Sequence, residues 1–213
     1  MNLCPLATIL LLLCSSSNLF SQSKNGKPAK VAAADFILPV SSAIDSSTTA
    51  VIIFDQGSTN FVGNKNGWFS YVFKRKTRIK ILSKKAFDLA TIKIPLYVTD
   101  EGQEKLSDLS ASTFNLENGQ LIETKLAKAD LFSIKTAKKH IEQKFTMPAV
   151  KEGSIIDYEY TINSDFTFNM PSWEFQNIEY PCLWSEYQVN IPSLLVYIFS
   201  RSGIHQYFID KGE

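Results

Sequence analysis

The sequence has little of the chemistry that most enzymes and nucleic-acid-binding proteins use. It holds three cysteines and two histidines, and its 22 basic residues are balanced by 21 acidic ones, for a net charge of +1. Balanced charge gives no electrostatic footprint for nucleic acid or an anionic surface. Cys4 and Cys14 lie near the N-terminus, in a segment with the features of a signal peptide. The rest of the chain keeps only Cys182, which excludes a disulfide framework.

Long apolar runs are also scarce. Leu6–Cys14 (LATILLLLC) is an apolar run of nine residues, well short of the roughly 20 that a membrane-spanning helix needs. Small and polar residues follow it, as in a secretory signal peptide cleaved near Ser21–Ser23, although the start MNLCP lacks lysine and arginine. No other segment is apolar enough to span a membrane, so none is expected in the mature chain.

Two alternatives to a cleaved signal remain open. Cys14 would be the lipidated residue of a lipoprotein signal, but the preceding Leu13 is not the small residue that such a signal needs. An uncleaved anchor is the second alternative. We predict a signal peptide over residues 1–23, a polar linker over 24–34, a β-sandwich domain over 35–213, and an exported protein.

Catalytic and metal-binding patterns are missing as well. The two histidines and the single mature cysteine have no spacing that indicates a metal site, and no cofactor is expected. Neither a glycine-rich phosphate loop nor a serine-hydrolase elbow is present. Cys182, His205 and Asp210 stand in the order of some cysteine enzymes, but they are closely spaced and the cysteine has an apolar β context. We therefore interpret Cys182 as a structural thiol.

Aromatic residues are abundant, with 15 Phe and 8 Tyr against three Met, which favours strands over helices. The clearest strand signal lies in Phe145–Ile162, where an apolar arm, a turn at Lys151–Gly153 and a strictly alternating segment predict a hairpin. Ile156, Tyr158, Tyr160 and Ile162 share one face of that segment, and Ile155, Asp157, Glu159 and Thr161 share the other. This pattern indicates an antiparallel sheet with one wet face.

A second long strand is predicted over Trp68–Leu82. Lysines and arginines alternate along one of its faces, which we expect to be solvated and to lie beside the acidic residues Asp157 and Glu159. Binding of nucleic acid or lipid headgroups by this basic row is the weaker hypothesis. On the apolar face Arg75 interrupts the pattern, which predicts a bulge or a rim position there.

Turn signals divide the remainder into short strands. Ala50–Asp55 is predicted as a buried strand, and the Gly- and Asn-rich Gln56–Gly67 as a loop. Asn118-Gly119 marks a hairpin, for which side-chain parity favours a three-residue loop that sets Phe114 opposite Ile122. Asn163–Pro171 is predicted as a long turn around Phe166 and Phe168. Trp173–Pro192 is predicted to hold two further strands broken at Pro181, and Leu194–Phe199 and Ile204–Ile209 are expected to be the last two strands. About ten short strands with little helix predict an all-β fold, a two-layer antiparallel β-sandwich.

Four aromatic residues form the densest group in the chain: Trp173, Tyr180, Trp184 and Tyr187. If they are exposed together, they could bind a sugar or an aromatic ligand. Aromatic residues of a sandwich more often belong to its core or rim, which is the competing interpretation. These four are the candidate ligand-binding residues of the sequence.

Five ordered blocks of the sequence resemble one known family. They are AVIIFDQGS (50–58), RIKILSKKAFDLATIKIPLY (78–97), FNLENGQL (114–121), FTMPAVKEGSIIDYEYTI (145–162), and WEFQ (173–176) with YPCLWSEYQVNIP (180–192). The resemblance is to the N-terminal domain of unknown function that precedes a transglutaminase-like domain in many exported bacterial proteins. It covers roughly residues 35–213.

The resemblance implies a β-sandwich in the periplasm or cell envelope of a Gram-negative bacterium. In that family the catalytic Cys, His and Asp lie in the following domain, and this sequence stops before it. We therefore expect a non-catalytic accessory module whose partner is a transglutaminase-like domain, downstream or separate. The alternative is a stand-alone module that binds a glycan or a peptide, the latter by strand addition to a sheet edge.

Overall fold

A computed structural model describes residues 30–200, 202–203 and 210 of the chain. It is about 49% strand and 8% helix, arranged in two sheets. The predicted all-β, two-layer sandwich with little helix is thus confirmed. The predicted signal peptide (1–23) and the predicted strand at 204–209 lie outside the described residues. Within the described part, no helix is long and apolar enough to cross a membrane.

The described part of the chain contains nine strands, in the following order: β1 (Ala50–Gly63), β2 (Phe69–Ile81), β3 (Thr91–Tyr97), β4 (Lys105–Glu117), β5 (Gln120–Lys125), β6 (Phe132–Ala137), β7 (His140–Thr146), β8 (Ile155–Ser164) and β9 (Ser185–Asn190). The larger sheet has the order β5-β4-β8-β2-β1-β9, and the smaller sheet the order β3-β7-β6. Every pairing is antiparallel except that of β1 with β9. Short 3₁₀ helices cover Ala33–Phe36, Lys84–Ala90 and Lys128–Asp130.

The core lies between the two sheets. The face of β8 that points inward is the predicted one, with Ile156, Tyr158, Tyr160 and Ile162 all buried. From the smaller sheet, Ile94, Leu96 and Phe145 are buried against it. Alternating burial therefore identifies the inner face of the central strand directly from the sequence.

The prediction that Phe145–Ile162 forms a hairpin is wrong. β7 pairs with β3 and β6, whereas β8 pairs with β2 and β4 of the other sheet. The segment between them passes from one layer to the other, with Ala149 and Gly153 at positive φ. A turn signal between two strands shows that the chain reverses, but not that the strands pair.

The predicted loop over Gln56–Gly67 is also largely strand. β1 continues to Gly63, with a register shift after Ile52, and the turn is confined to the residues around Asn64–Gly67. Both edges of this segment are hydrogen-bonded, to β2 on one side and to β9 on the other. Pairing on two sides outweighs the weak strand propensity of its Gly and Asn residues.

The Asn118-Gly119 loop contains two residues, not three. Glu117 pairs with Gln120, so Phe114 lies opposite Glu123. Asn118 and Gly119 both have positive φ, 50° and 78°, as a type I′ turn requires. The parity argument failed because β5 is an edge strand with no buried residue, so no core face constrains its register.

The outer face of the larger sheet carries the predicted ladder of opposite charges. Lys76 contacts Glu159 at 3.3 Å, and Arg78 contacts Asp157 at 2.7 Å. The face is less solvated than predicted, because the 3₁₀ turn Ala33–Phe36 covers part of it. Asp35 contacts Arg78 at 3.0 Å, and the Lys80 ammonium donates to the Phe36 carbonyl.

Two further strand predictions fail near the C-terminus. Most of 173–184 is irregular, with one isolated bridge between Ile52 and Cys182. Leu194–Phe199, predicted as a strand, has no ladder partner among the described residues. Its composition favours a strand, but a strand also needs a neighbour to pair with.

Gly57 in β1 lets the irregular segment pack closely against the larger sheet. A Cβ atom at this position would lie 2.3 Å from Cζ3 of Trp173. The indole thus occupies the space that a side chain would fill, which explains a glycine inside a strand.

We expect Gly57→Ala to lower the free energy of unfolding by about 1–3 kcal/mol, because the added methyl group forces Trp173 out of its position. Urea denaturation followed by tryptophan fluorescence measures the change. Gly63→Ala is the matched control, since no atom lies within 4 Å of its added Cβ; its effect should stay within about 0.5 kcal/mol. Equal effects of the two variants would contradict the close packing described.

Candidate functional site

Two of the four predicted ligand-binding residues meet on the inner face of the larger sheet. Trp173 and Tyr187 stack with their ring centroids 5.0 Å apart and their planes 8° from parallel. The indole N–H of Trp173 donates to Ser185 Oγ at 3.1 Å. The hydroxyl oxygens of Tyr187 and Thr59 lie 2.7 Å apart. Both rings are therefore held by the protein itself and are only partly exposed.

An ion pair lies beside the stacked rings. Arg75 donates from Nε to Asp55 Oδ1 at 2.9 Å and from Nη2 to Oδ2 at 2.6 Å. Thr77 Oγ1 donates to the same Oδ1 at 2.8 Å. The guanidinium carbon of Arg75 is 5.0 Å from the centroid of the Trp173 ring, close enough for a cation–π interaction.

The sequence indicates one member of this pair, Arg75, as a charge on an apolar face, but it does not indicate the partner Asp55. Arg75 lies on the inner face, as its parity predicts, but neither neighbouring ladder has a bulge there. The charge is instead accommodated by Asp55, which ends the apolar run of β1 and is only 5% exposed. Buried charges are tolerated when they are paired and hydrogen-bonded. No local sequence pattern indicates that these two residues face each other.

Ionisation in this region is suppressed where phenols are buried. Burial raises the pKa of Tyr158, and it raises the pKa of Tyr160 to about 12 despite the nearby Arg75 charge. Burial by itself lowers the pKa of Arg75, but its hydrogen bond to Asp55 and the Coulombic interactions with Asp55 and the two phenols together raise it. Both phenols are therefore uncharged at neutral pH, whereas the guanidinium is charged.

The other two predicted residues lie elsewhere. The indole N–H of Trp184 donates to Glu186 Oε2 at 3.2 Å, and Gln56 donates to the same oxygen at 3.3 Å. Glu186 lies on the opposite face of β9 from Tyr187. Tyr180 is 8% exposed, and its hydroxyl donates to Asp88 at 3.4 Å. The four residues do not form one exposed platform, and their role in ligand binding stays a prediction.

Cys182 has the properties of a structural thiol. It is partly buried, and its Sγ donates to the Trp184 carbonyl at 3.4 Å. Burial, together with the nearby Asp55 charge, raises the pKa of this thiol to about 11. Nucleophilic cysteines have the opposite shift. His205 lies outside the described residues, and no group of three or more potential metal ligands occurs in the described part.

One aromatic cluster was not identified from the sequence. The Tyr97 ring of β3 makes edge-to-face contacts with Phe166 at 5.1 Å and Phe168 at 5.9 Å, and with the imidazole of His140 at 5.6 Å. Phe168 is 74% exposed. The loop after β8 thereby joins the end of the smaller sheet. The predicted turn around Phe166 and Phe168 gave the only hint of it.

The chain is thus an all-β sandwich domain in which the stacked aromatic rings and the ion pair beside them pack against one another. The family described as "Domain of Unknown Function with solved-structure structure (DUF3857)" matches residues 69–206. The chain belongs to that family.

Comparison with curated proteins gives no significant match. Among solved structures, a protein from Parabacteroides distasonis ATCC 8503 described as a "putative protease" matches 55% of this chain at 12% identity, with a TM-score of 0.43. The chain spans 23% of the length of that protein. At this TM-score the likeness carries no inference about activity.

We expect Asp55→Asn to lower the free energy of unfolding by about 1–3 kcal/mol at neutral pH. It leaves a half-buried guanidinium without its counter-charge, and the cost is reduced by the solvent that reaches Arg75. Urea denaturation measures the difference. Glu117→Gln breaks the exposed Lys151–Glu117 pair of 2.6 Å and serves as the control, with an expected loss below about 1 kcal/mol. A loss for Asp55→Asn no larger than this control would show that the pair contributes little.

Cys182 should react slowly with iodoacetamide in the folded protein. With Cys4 and Cys14 absent or replaced by serine, we expect the native rate at pH 8.5 to be about 10- to 100-fold below the rate in urea, because the raised pKa leaves little thiolate. Mass spectrometry of timed samples measures both rates. Because the folded pKa is the higher one, this group's contribution to stability is present below pH 9 and is lost as the pH rises towards 11. A native rate equal to the unfolded rate would contradict the assignment.

Proposed function

We propose that this chain is a non-catalytic, exported module that packs on a transglutaminase-like domain, or presents substrate to it. Membership of a family of unknown function is consistent with an accessory role but does not specify one. The observation that carries the proposal is the segment Leu194–Phe199, which we call the docking segment. Its side chains alternate as in a strand, yet it pairs with nothing in the described part of the chain.

One side of the docking segment is anchored to the sandwich. Leu195 and Tyr197 are partly buried. The Tyr197 ring lies 5.7 Å from that of Phe61, and its hydroxyl donates to the Thr167 carbonyl at 2.5 Å. The segment is therefore held at a definite position beside the end of β1, as a docking element needs to be.

The other side is apolar and open. Leu194, Val196 and Ile198 are 80%, 92% and 95% exposed. Burying one such side chain is worth about 1.5–3 kcal/mol, so a partner that covers all three gains substantial affinity. In the described part of the segment, the one backbone bond outside ladders runs from Leu195 N to the Pro192 carbonyl. A partner strand would satisfy the remaining groups as well.

The non-catalytic part of the proposal is supported by the raised pKa of Cys182. In the proposed assembly the reactive cysteine, histidine and aspartate belong to the transglutaminase-like partner, in the same polypeptide or in another one. Export is supported by the apolar N-terminal run followed by serines, and the periplasm or envelope is the proposed compartment.

The proposal is tested by expressing the tagged chain in a Gram-negative host that carries a transglutaminase-like gene, and by recovering it from the periplasmic or envelope fraction. We expect the recovered chain to begin near residue 24 and to retain a protein with a well-spaced Cys, His and Asp. Replacing Val196 and Ile198 with Asp should abolish retention. The matched control, Lys65→Asp in the exposed turn after β1, should leave it unchanged. Recovery from the cytoplasm, or equal retention by all variants, would contradict the proposal.

Glycan binding is the second candidate, and the geometry favours one part of the predicted aromatic group for it. Trp184 lies beside a carboxylate that accepts bonds from two side-chain amides, those of Gln56 and Gln188. An indole next to planar polar groups can stack on a sugar ring and bind its hydroxyls. In the same recovery experiment, retention of glycan without any protein would favour this function over docking.

A further inference from the structure

We infer that the free edge of β6 is a peptide-binding site, which accepts an extended strand of alternating apolar and acidic residues. The site is separate from the docking segment and does not depend on the function proposed above. It rests on the exposure of β6, on the faces to which its side chains point, and on the charge around it.

β6 is the least supported strand of the fold. Among the residues that the structure describes, it pairs with β7 alone, as the last strand of the smaller sheet. All six of its residues, Phe132–Ala137, are exposed. The strand thus projects beyond the core, with an open edge and both faces in solvent. Strands of this kind gain stability when another strand adds to their edge.

The register of the smaller sheet fixes which side chains share a face. Phe132 and Ile134 pair with Lys144 and Glu142 of β7, so they lie on the face opposite the buried Ile94 and Leu96. They are 60% and 44% exposed. Ser133 and Lys135 point to the other side. An added strand would place alternate side chains beside this apolar pair and the others beside Ser133 and Lys135.

Two of the other edge strands, β3 and β5, are less suited to strand addition. β3 carries Pro95, which cannot donate to a ladder. β5 has two exposed apolar residues, Leu121 and Ile122, but they are neighbours in sequence and point to opposite faces. In β6 the two large apolar residues lie on one face, as a strand-binding site requires for recognition of alternate side chains.

Charge selects the kind of partner. Residues 125–144 contain six lysines and two carboxylates, in a chain whose net charge is only +1. No ion pair found among the described residues involves any of these six lysines. A second copy of β6 would bring Lys135, Lys138 and Lys139 close to their equivalents, and like charges across strands are unfavourable. An acidic peptide is therefore the favoured occupant.

The alternation of the site gives the pattern of that peptide. Apolar side chains would lie beside Phe132 and Ile134, and acidic side chains would lie on the opposite face beside Lys135. The lysines of the β6–β7 turn, Lys138 and Lys139, would attract the same peptide from a distance. Its backbone N–H and C=O groups would complete the ladder that β6 leaves open.

The test uses a fluorescein-labelled peptide of eight residues that alternates valine and glutamate, with fluorescence anisotropy at low ionic strength. We expect saturable binding, at least about tenfold weaker for a peptide that alternates valine and lysine, and equally weak for a peptide with alternate N-methylated residues. The N-methylated peptide keeps the charges but cannot add to a sheet edge, so it separates strand addition from simple attraction.

Two variants of the protein locate the site. Ile134→Asp should weaken binding at least about tenfold, whereas Leu121→Asp on the similarly exposed β5 should change it by less than about twofold. Replacing Val196 and Ile198 in the docking segment should have no effect, which keeps this result distinct from the proposed function. No saturable binding, equal losses from Ile134→Asp and Leu121→Asp, or undiminished binding of the N-methylated peptide would overturn the inference. So would a dimer of the chain that Ile134→Asp dissociates.

Discussion

The most consequential interaction in this fold is the ion pair of Asp55 and Arg75 on the inner face of the larger sheet. The Arg75 guanidinium is tolerated inside the sandwich because it is paired with a carboxylate and lies over an indole, and a threonine hydroxyl donates to the same carboxylate. These partners come from β1, from β2 and from the irregular segment before β9. The pair therefore joins the sheet to the segment that covers it, and Gly57 leaves the space that Trp173 needs.

With those aromatic groups committed to packing, the accessible surfaces of the domain lie at its margins. The docking segment leaves the sandwich with three aliphatic side chains exposed, and β6 projects beyond the core with an open edge. The two surfaces differ in chemistry, because the first is uncharged and the second is surrounded by lysines. If both proposals hold, the two surfaces would bind molecules of different chemistry.

The sequence predicted the parts of the fold that depend on one-sided burial. Alternation located the inner face of β8, and the paired charges of β2 and β8 followed from their spacing. The prediction from sequence was wrong at Gln56–Gly63, where pairing on both edges extends a strand rich in Gly and Asn. It was also wrong at Gln120–Lys125, an edge strand with no core face to fix its register. Only one member of the ion pair could be predicted from the sequence. Arg75 interrupts an apolar face, but its partner Asp55 is 20 residues away. Tertiary pairing of that kind cannot be derived from local pattern.

The parallel pairing of β9 with β1 has a consequence for the order of folding. Gln56 and Glu186, neighbours across these strands, are 130 residues apart in the chain. Until β9 is present, β1 is an unprotected sheet edge next to a continuous apolar run, which is the kind of surface on which unfinished chains aggregate. Synthesis from the N-terminus produces β1 long before β9. Closure of this edge is therefore expected to be a late and slow step, since contacts of long sequence separation form last.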